Sequence, residues 1–262
     1  MNLQTTSPRL PLYLQGKRPT QVGADGPALR VIVANGAPLR YPLARLARVI
    51  STQRVNWRGE AIAACLCEGL PIVFLDNAGE PAGYLMPLQG KPSRLDGLLE
   101  ELLALPEGDV CYNNWLRAAR MSLLHAWRHR REQAGEPIAE EEFHELIHRH
   151  LYQPELENHA FVRAGPYAGA LLARVLQALH QAGLKPRYWC HQGRPIELAA
   201  DIAQLLGLSL YLDMRGFMDQ AQGDNAALLY LLHKAGSRLE TGLTELLGSL
   251  HRRVKIRVEE WR

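Results

Sequence analysis

The chain has 262 residues, 47% of them hydrophobic and 22% charged. That length and balance suit one large globular domain or two small ones, each able to bury a core, and exclude a disordered or fibrous chain. The formal net charge of +3 is too small to argue for nucleic acid by itself, so such a partner must be argued from where the charges sit. No apolar run reaches the roughly 18 residues of a membrane span. The opening stretch MNLQTTSPRLPLYLQ lacks the apolar core of a secretion signal. Cys65, Cys67, Cys111 and Cys190 show neither CxxC spacing nor a disulfide framework, and fit free thiols in a reducing cytoplasm.

Residues 12 to 87 read as short strands. Leu12 to Leu14 is closed by Gly16, and Ala28 to Ala34 ends at the Asn35-Gly36 turn signal. Leu39 to Pro42, Arg45 to Ile50 and Val55 to Trp57 follow. Gly59 to Glu68 has helical composition and stops at Gly69. Pro71 to Leu75 is a buried strand, Asp76 to Gly79 a turn, and Ala82 to Met86 a return strand. Many short strands with one helix predict a small β-sandwich or barrel.

Gln89 to Ser93 reads as a linker, and the period is helical from there on. Leu95 to Leu105 ends at Pro106. Asn113 to Gln133 carries Leu116, Ala119, Leu123, Leu124 and Trp127 at helical spacing, with Arg117, Arg120, Arg128, Arg130 and Arg131 around them. Those arginines are either a solvated helix face or a surface that tracks phosphates. Ala139 to Tyr152 contains His144, Glu145 and His148 as H-E-x-x-H. On a helix this spacing can bind Zn2+ and lets the Glu activate water. A third ligand is missing, and Leu151 stands where the elongated motif needs Gly.

Tyr167 to Gly183 is a further helix. His191 comes just before the turn Gln192 to Pro195. On the helix that follows, Leu198, Ile202 and Leu205 share one side, and Asp201 and Gln204 share a face. A loop and the helix after it can converge on one metal or one phosphate. The plainer alternative is a hydrogen-bonded structural histidine and an ordinary polar helix residue. Asn225 to Lys234 and Ser237 to Leu250 are helical, and His251 to Arg257 form a basic end. The whole is an α+β chain: residues 1–88 a β-rich domain, residues 89–262 an all-α domain.

Two ordered stretches carry a family likeness. RYPLARLARVI with RVNWRGEAIAACLCEGLPIVFLDNAGEPAGYLMP resembles the N-terminal domain of the CRISPR-associated integrase family, the nucleases that insert new spacers. ALHQAGLKP and RYWCHQGRPIELAADIAQ resemble that family's later helix, loop and helix. The resemblance implies that His191 is a metal ligand, that Asp201 matches an acidic position, and that Gln204 stands where a second acidic metal ligand belongs. It assigns the catalytic Glu to Glu145, seven residues before Tyr152, with Glu142 as the other candidate. Leu146 departs from the Gly that follows the Glu in that motif.

The resemblance further implies a cytoplasmic homodimer formed through the β-domain, a small second protein of the adaptation complex, and DNA partners: spacer precursor and CRISPR repeat. It implies Mg2+ or Mn2+ and a metal-assisted attack of a DNA 3′ hydroxyl on a phosphodiester. Arg117, Arg120, Arg128, Arg131 and Arg194 would hold phosphates. An amide at 204 is a poorer ligand for a hard cation than a carboxylate. Three readings stand side by side: an integrase-like endonuclease with full or weakened catalysis, compensated by Asp201 or Glu197; a catalytically inactive DNA-binding scaffold of the same fold; and a zinc metallopeptidase built on His144 and His148.

Overall fold

The computed structural model describes residues 9–79, 81–88, 93–152, 166–185, 196–220 and 232–262. The chain divides into two compact units, Met1–Gly90 and Lys91–Arg262. The first holds β1 (Leu10–Leu14), β2 (Thr20–Asp25), β3 (Ala28–Val33), β4 (Leu39–Pro42), β5 (Leu46–Thr52), β6 (Val55–Trp57), α1 (Gly59–Cys67), β7 (Ile72–Leu75) and β8 (Pro81–Leu85). They form two four-stranded sheets, ordered β1-β5-β7-β8 and β4-β3-β2-β6.

β5 lies between β1 and β7 and runs parallel to both. A strand paired on both edges and covered on both faces is buried on both sides, and residues 48–51 are buried without a break, the polar Arg48 and Ser51 among them. Leu12, Val22, Leu29, Val31, Leu46, Val49 and Ile72 from the two sheets join Ala61 and Cys65 of α1 in one core. Burial pushes the Cys65 thiol up to about 11, and Cys65, Cys67 and Cys111 are free.

The sequence reading misses β2. Gly23 and Asp25 dilute its alternation, yet β2 is central, pairing antiparallel with β3 and parallel with β6. The signal was the Asp25-Gly26 turn, with Gly26 at φ 58°. Gly16 is required at the exit of β1. Its φ is 59°, and a Cβ there would lie 2.7 Å from Thr52 Oγ1.

The second unit is helical among its described residues: α2 (Arg94–Ala104), α3 (Gly108–Gln133), α4 (Glu140–Ile147), a π-helical turn (His148–Tyr152), α5 (Pro166–Gln181), α6 (Leu198–Gln220) and α7 (Gly236–Trp261). α3 starts five residues before the expected Asn113. Gly108 begins it, because a Cβ at this position would collide with the Leu102 carbonyl oxygen of α2. The expected helix Ala139 to Tyr152 is α-helical only to Ile147.

The basic end is not a tail. The stripe Leu239, Leu243, Leu246, Leu250 continues through Val254 and Val258, so α7 stays packed to its last turn. Arg262 and Arg257 pair with Glu101 and Glu107 at 2.6 and 3.2 Å. Leu124 and Trp127 of α3, Phe143 and Leu146 of α4, and Leu208 and Leu212 of α6 make a second core. Among the described residues no helix is long and apolar enough to cross a membrane.

Candidate functional site at the seam of two helices

α3 and α6 meet along a seam whose polar contacts climb both helices in the same order. The Tyr112 hydroxyl donates to Asp201 Oδ2 at 2.8 Å. Arg120 Nη2 donates to Gln204 Oε1 at 3.3 Å. Arg130 pairs with Asp213 at 3.0 Å. The seam is what the α6 pattern dictates. Leu198, Ile202 and Leu205 are buried, which turns Asp201 and Gln204, half-buried, towards α3.

Burial dominates the electrostatics here. It raises the Asp201 carboxyl above its ordinary value, although the Tyr112 hydrogen bond and the Arg120 charge pull the other way. It also lowers Arg120 from its ordinary value, against the attraction of Asp201 and Tyr112; the guanidinium stays charged all the same. Tyr112 is held well above the usual 10, first by burial and then by the Asp201 charge. A raised acid is stabilising below its unfolded value and loses that contribution as pH climbs towards the folded one. The urea midpoint is therefore expected to fall more steeply above about pH 10 for the wild type than for Tyr112→Phe. Equal slopes would show that Tyr112 ionises freely.

The structure treats the other sequence candidates differently. α4 packs through Phe143 and Leu146, so Glu145, about 100° round the helix from Leu146, is exposed. Glu142, in the acidic first turn of α4, is exposed as well. His144 is 72% exposed, its Nε2 3.9 Å from Glu140. His148 is exposed and is the first residue of the π-helical turn, with its ring 5.8 Å from that of Tyr152. Among the described residues no three of His, Cys, Asp and Glu gather closely enough to hold a metal. His191 and Arg194 lie outside the described residues.

The arginines of α3 are not one uniform row. Arg120 points into the seam. Arg128 pairs with Glu132 at 2.9 Å and lies 4.8 Å over the Phe143 ring. Arg131 pairs with Glu136 at 3.2 Å and lies over Trp127. Arg117 is exposed one turn from Arg120. Sequence reasoning missed Tyr112, because the expected helix began at Asn113, the residue after it. Its signal was the i, i+4 spacing to the buried Leu116.

A hard divalent ion needs several oxygens, mostly charged ones. Here Gln204 Oε1 faces a guanidinium and Asp201 Oδ2 accepts from a phenol. The described donors do not fit a divalent cation.

Residues 12–97 match the family model described as CRISPR associated protein Cas1. No curated protein sequence matches the chain. Among solved structures, a CAS1 protein from Thermotoga maritima superposes with a TM-score of 0.64 at 14% identity, over 94% of this chain and 96% of that one. TtCas1 in its DNA complex gives 0.59 at 16%, over 91% of each chain. A chain of a Cas6-RT-Cas1–Cas2 complex gives 0.55 at 14%, over 97% of this chain and 36% of that longer one. The Cas1 family model thus matches the strand-rich unit, and nearly the whole chain has the fold of solved Cas1 proteins.

Proposed function

We propose that this protein is a DNA-binding component of CRISPR spacer acquisition that serves as a scaffold, without the metal-dependent strand transfer that its resemblance implies. The observation that carries this reading is the Arg120–Gln204 contact. The oxygen expected to hold Mg2+ or Mn2+ faces a guanidinium instead. In-line phosphodiester transfer needs a metal to stabilise the attacking and leaving oxygens, and an amide beside an arginine offers poor support for one.

DNA binding keeps its physical basis. Arg130, Arg131 and Arg238 line a cavity of about 540 Å³ floored by Trp127 and Leu212, with Asp213 and Glu136 as counter-charges. The Arg131–Glu136 pair is exposed on both sides, and exposed ion pairs contribute only about 0–1 kcal/mol, so a phosphate can replace Glu136 there, while the half-exposed Arg130 can reach a second phosphate. Arg252 and Arg253 add exposed charge on α7. Homodimerisation through the strand-rich unit, and a Cas2-like small partner, complete the proposal. The structural likeness to a chain from a Cas1–Cas2 complex supports the second.

Binding to branched and duplex DNA is expected to weaken steeply with salt. Arg130→Ala combined with Arg131→Ala is expected to flatten the log-log salt slope by about 2, roughly one for each phosphate no longer neutralised. With Mn2+ the wild-type protein is expected to leave branched DNA unjoined and uncut. Mn2+-dependent strand transfer that disappears in His191→Ala would establish an active integrase instead.

A further inference from the structure

We propose that Arg120 is a resident cation that takes the place of the divalent ion at this seam, and that Arg120 and Gln204 form a coupled pair. Resting on the scaffold reading, this deepens it: a guanidinium from one helix meets the amide at 204 on another, where the resemblance places an acidic metal ligand.

Charge balance carries the argument. A half-buried carboxylate needs a compensating charge. Two carboxylates with one divalent ion sum to zero. Asp201 with Arg120, beside neutral Gln204 and the neutral phenol of Tyr112, also sum to zero. The second arrangement needs an amide at 204, which accepts from Arg120 at 3.3 Å without adding charge. Arg120 interacts electrostatically with both Asp201 and Tyr112, so it serves the acidic end of the seam as well as Gln204. A divalent ion entering here would add two positive charges to a balanced group and would meet the guanidinium. Arg117 one turn away, and Glu197 one turn before Asp201, are both exposed and bring opposite charges to the rim.

The pairing has a consequence that the sequence alone does not suggest. Restoring the acid by itself does not restore the metal site. Gln204→Glu sets a carboxylate against Arg120, and the ion pair that results occupies the ligand. Both positions must change.

The test is calorimetric titration of the full-length protein with MnCl2, without DNA, supported by the Mn2+-induced change in melting temperature. Wild type, Gln204→Glu and Arg120→Ala are each expected to show no saturable site. Gln204→Glu alone is expected to melt higher than wild type. Arg120→Ala with Gln204→Glu is expected to gain one site per chain, binding Mn2+ about tenfold or more tightly than any of the others. A saturable site in wild type that disappears in Gln204→Ala overturns the proposal. So does a site gained by Gln204→Glu alone, or a folded double variant that binds nothing. The wild-type titration stands even if the double variant does not fold. Strand-transfer assays on wild type separate the two claims. A Mn2+ site at Gln204 without transfer sinks only the resident-cation proposal, whereas transfer without a site at Gln204 sinks only the scaffold reading.

Discussion

Phe143→Ala is expected to cost about 3–5 kcal/mol and to release α4 from the helical unit. Phe143 is 2% exposed. Its ring meets His125 edge-on at 5.3 Å and lies under the Arg128 guanidinium. α4 has eight residues, too few to persist alone. Phe143 and Leu146 are its buried residues, seated against Leu124, Trp127, Leu208 and Leu212. Hydrogen-exchange mass spectrometry is expected to show residues 140–147 losing protection by about two to four orders of magnitude, the equivalent of that energy. Phe143→Leu, which keeps much of the volume, is expected to lose far less. If protection in α4 is unchanged in Phe143→Ala, the helix is held by something other than this core. The consequence reaches function, because Glu145 and His144 ride on α4 and His148 follows it directly in the π-helical turn. Any role they have depends on a phenylalanine on the opposite side of the helix.

Asp96→Ala is expected to lower stability by about 2–4 kcal/mol. Asp96 is 1% exposed. Its Oδ1 accepts from the Lys185 backbone N–H at 2.8 Å, and its Oδ2 lies 3.1 Å from Lys185 Nζ. The Ser93 hydroxyl caps the same helix by accepting from the Asp96 N–H at 3.2 Å, and the Ser93 N–H donates to the Gly183 carbonyl at 3.0 Å. The start of α2 is thus latched to the chain leaving α5. Removing the carboxylate strands a backbone N–H and an ammonium. The Lys185 side chain is 43% exposed, so water recovers part of that loss, which keeps the figure below that for a fully buried pair. Asp96→Asn keeps an acceptor for the Lys185 N–H and is expected to cost about half as much. Urea denaturation followed by circular dichroism reads both. A midpoint for Asp96→Ala equal to that of wild type would show that the latch carries no load.

The strand-rich unit was legible because its signals are local. Asn35-Gly36, Gly69 and the run Pro71 to Leu75 mark a turn, a helix stop and a strand without reference to distant residues, and the structure has an element boundary or a strand at each. β2 escaped because its place in the sheet depends on pairing with Ala28–Val33 and Val55–Trp57 and not on its own alternation. The helices were legible from their apolar period, but their ends were not. α3 starts at Gly108 because α2 comes close there, and α7 runs on to Trp261 because Val254 and Val258 stay buried.

For the candidate site the division is sharper. Three-residue spacing alone puts Asp201 and Gln204 on one face of a helix, and the amide at 204 is visible in the letters. What those side chains face is not. Tyr112 and Arg120 reach them across 89 and 84 residues of chain, a distance over which no periodicity carries information. Local sequence sets which face a side chain shares, because that depends only on helix geometry. Packing of one helix against another sets its partner, and here packing sets the Arg120 guanidinium against Gln204.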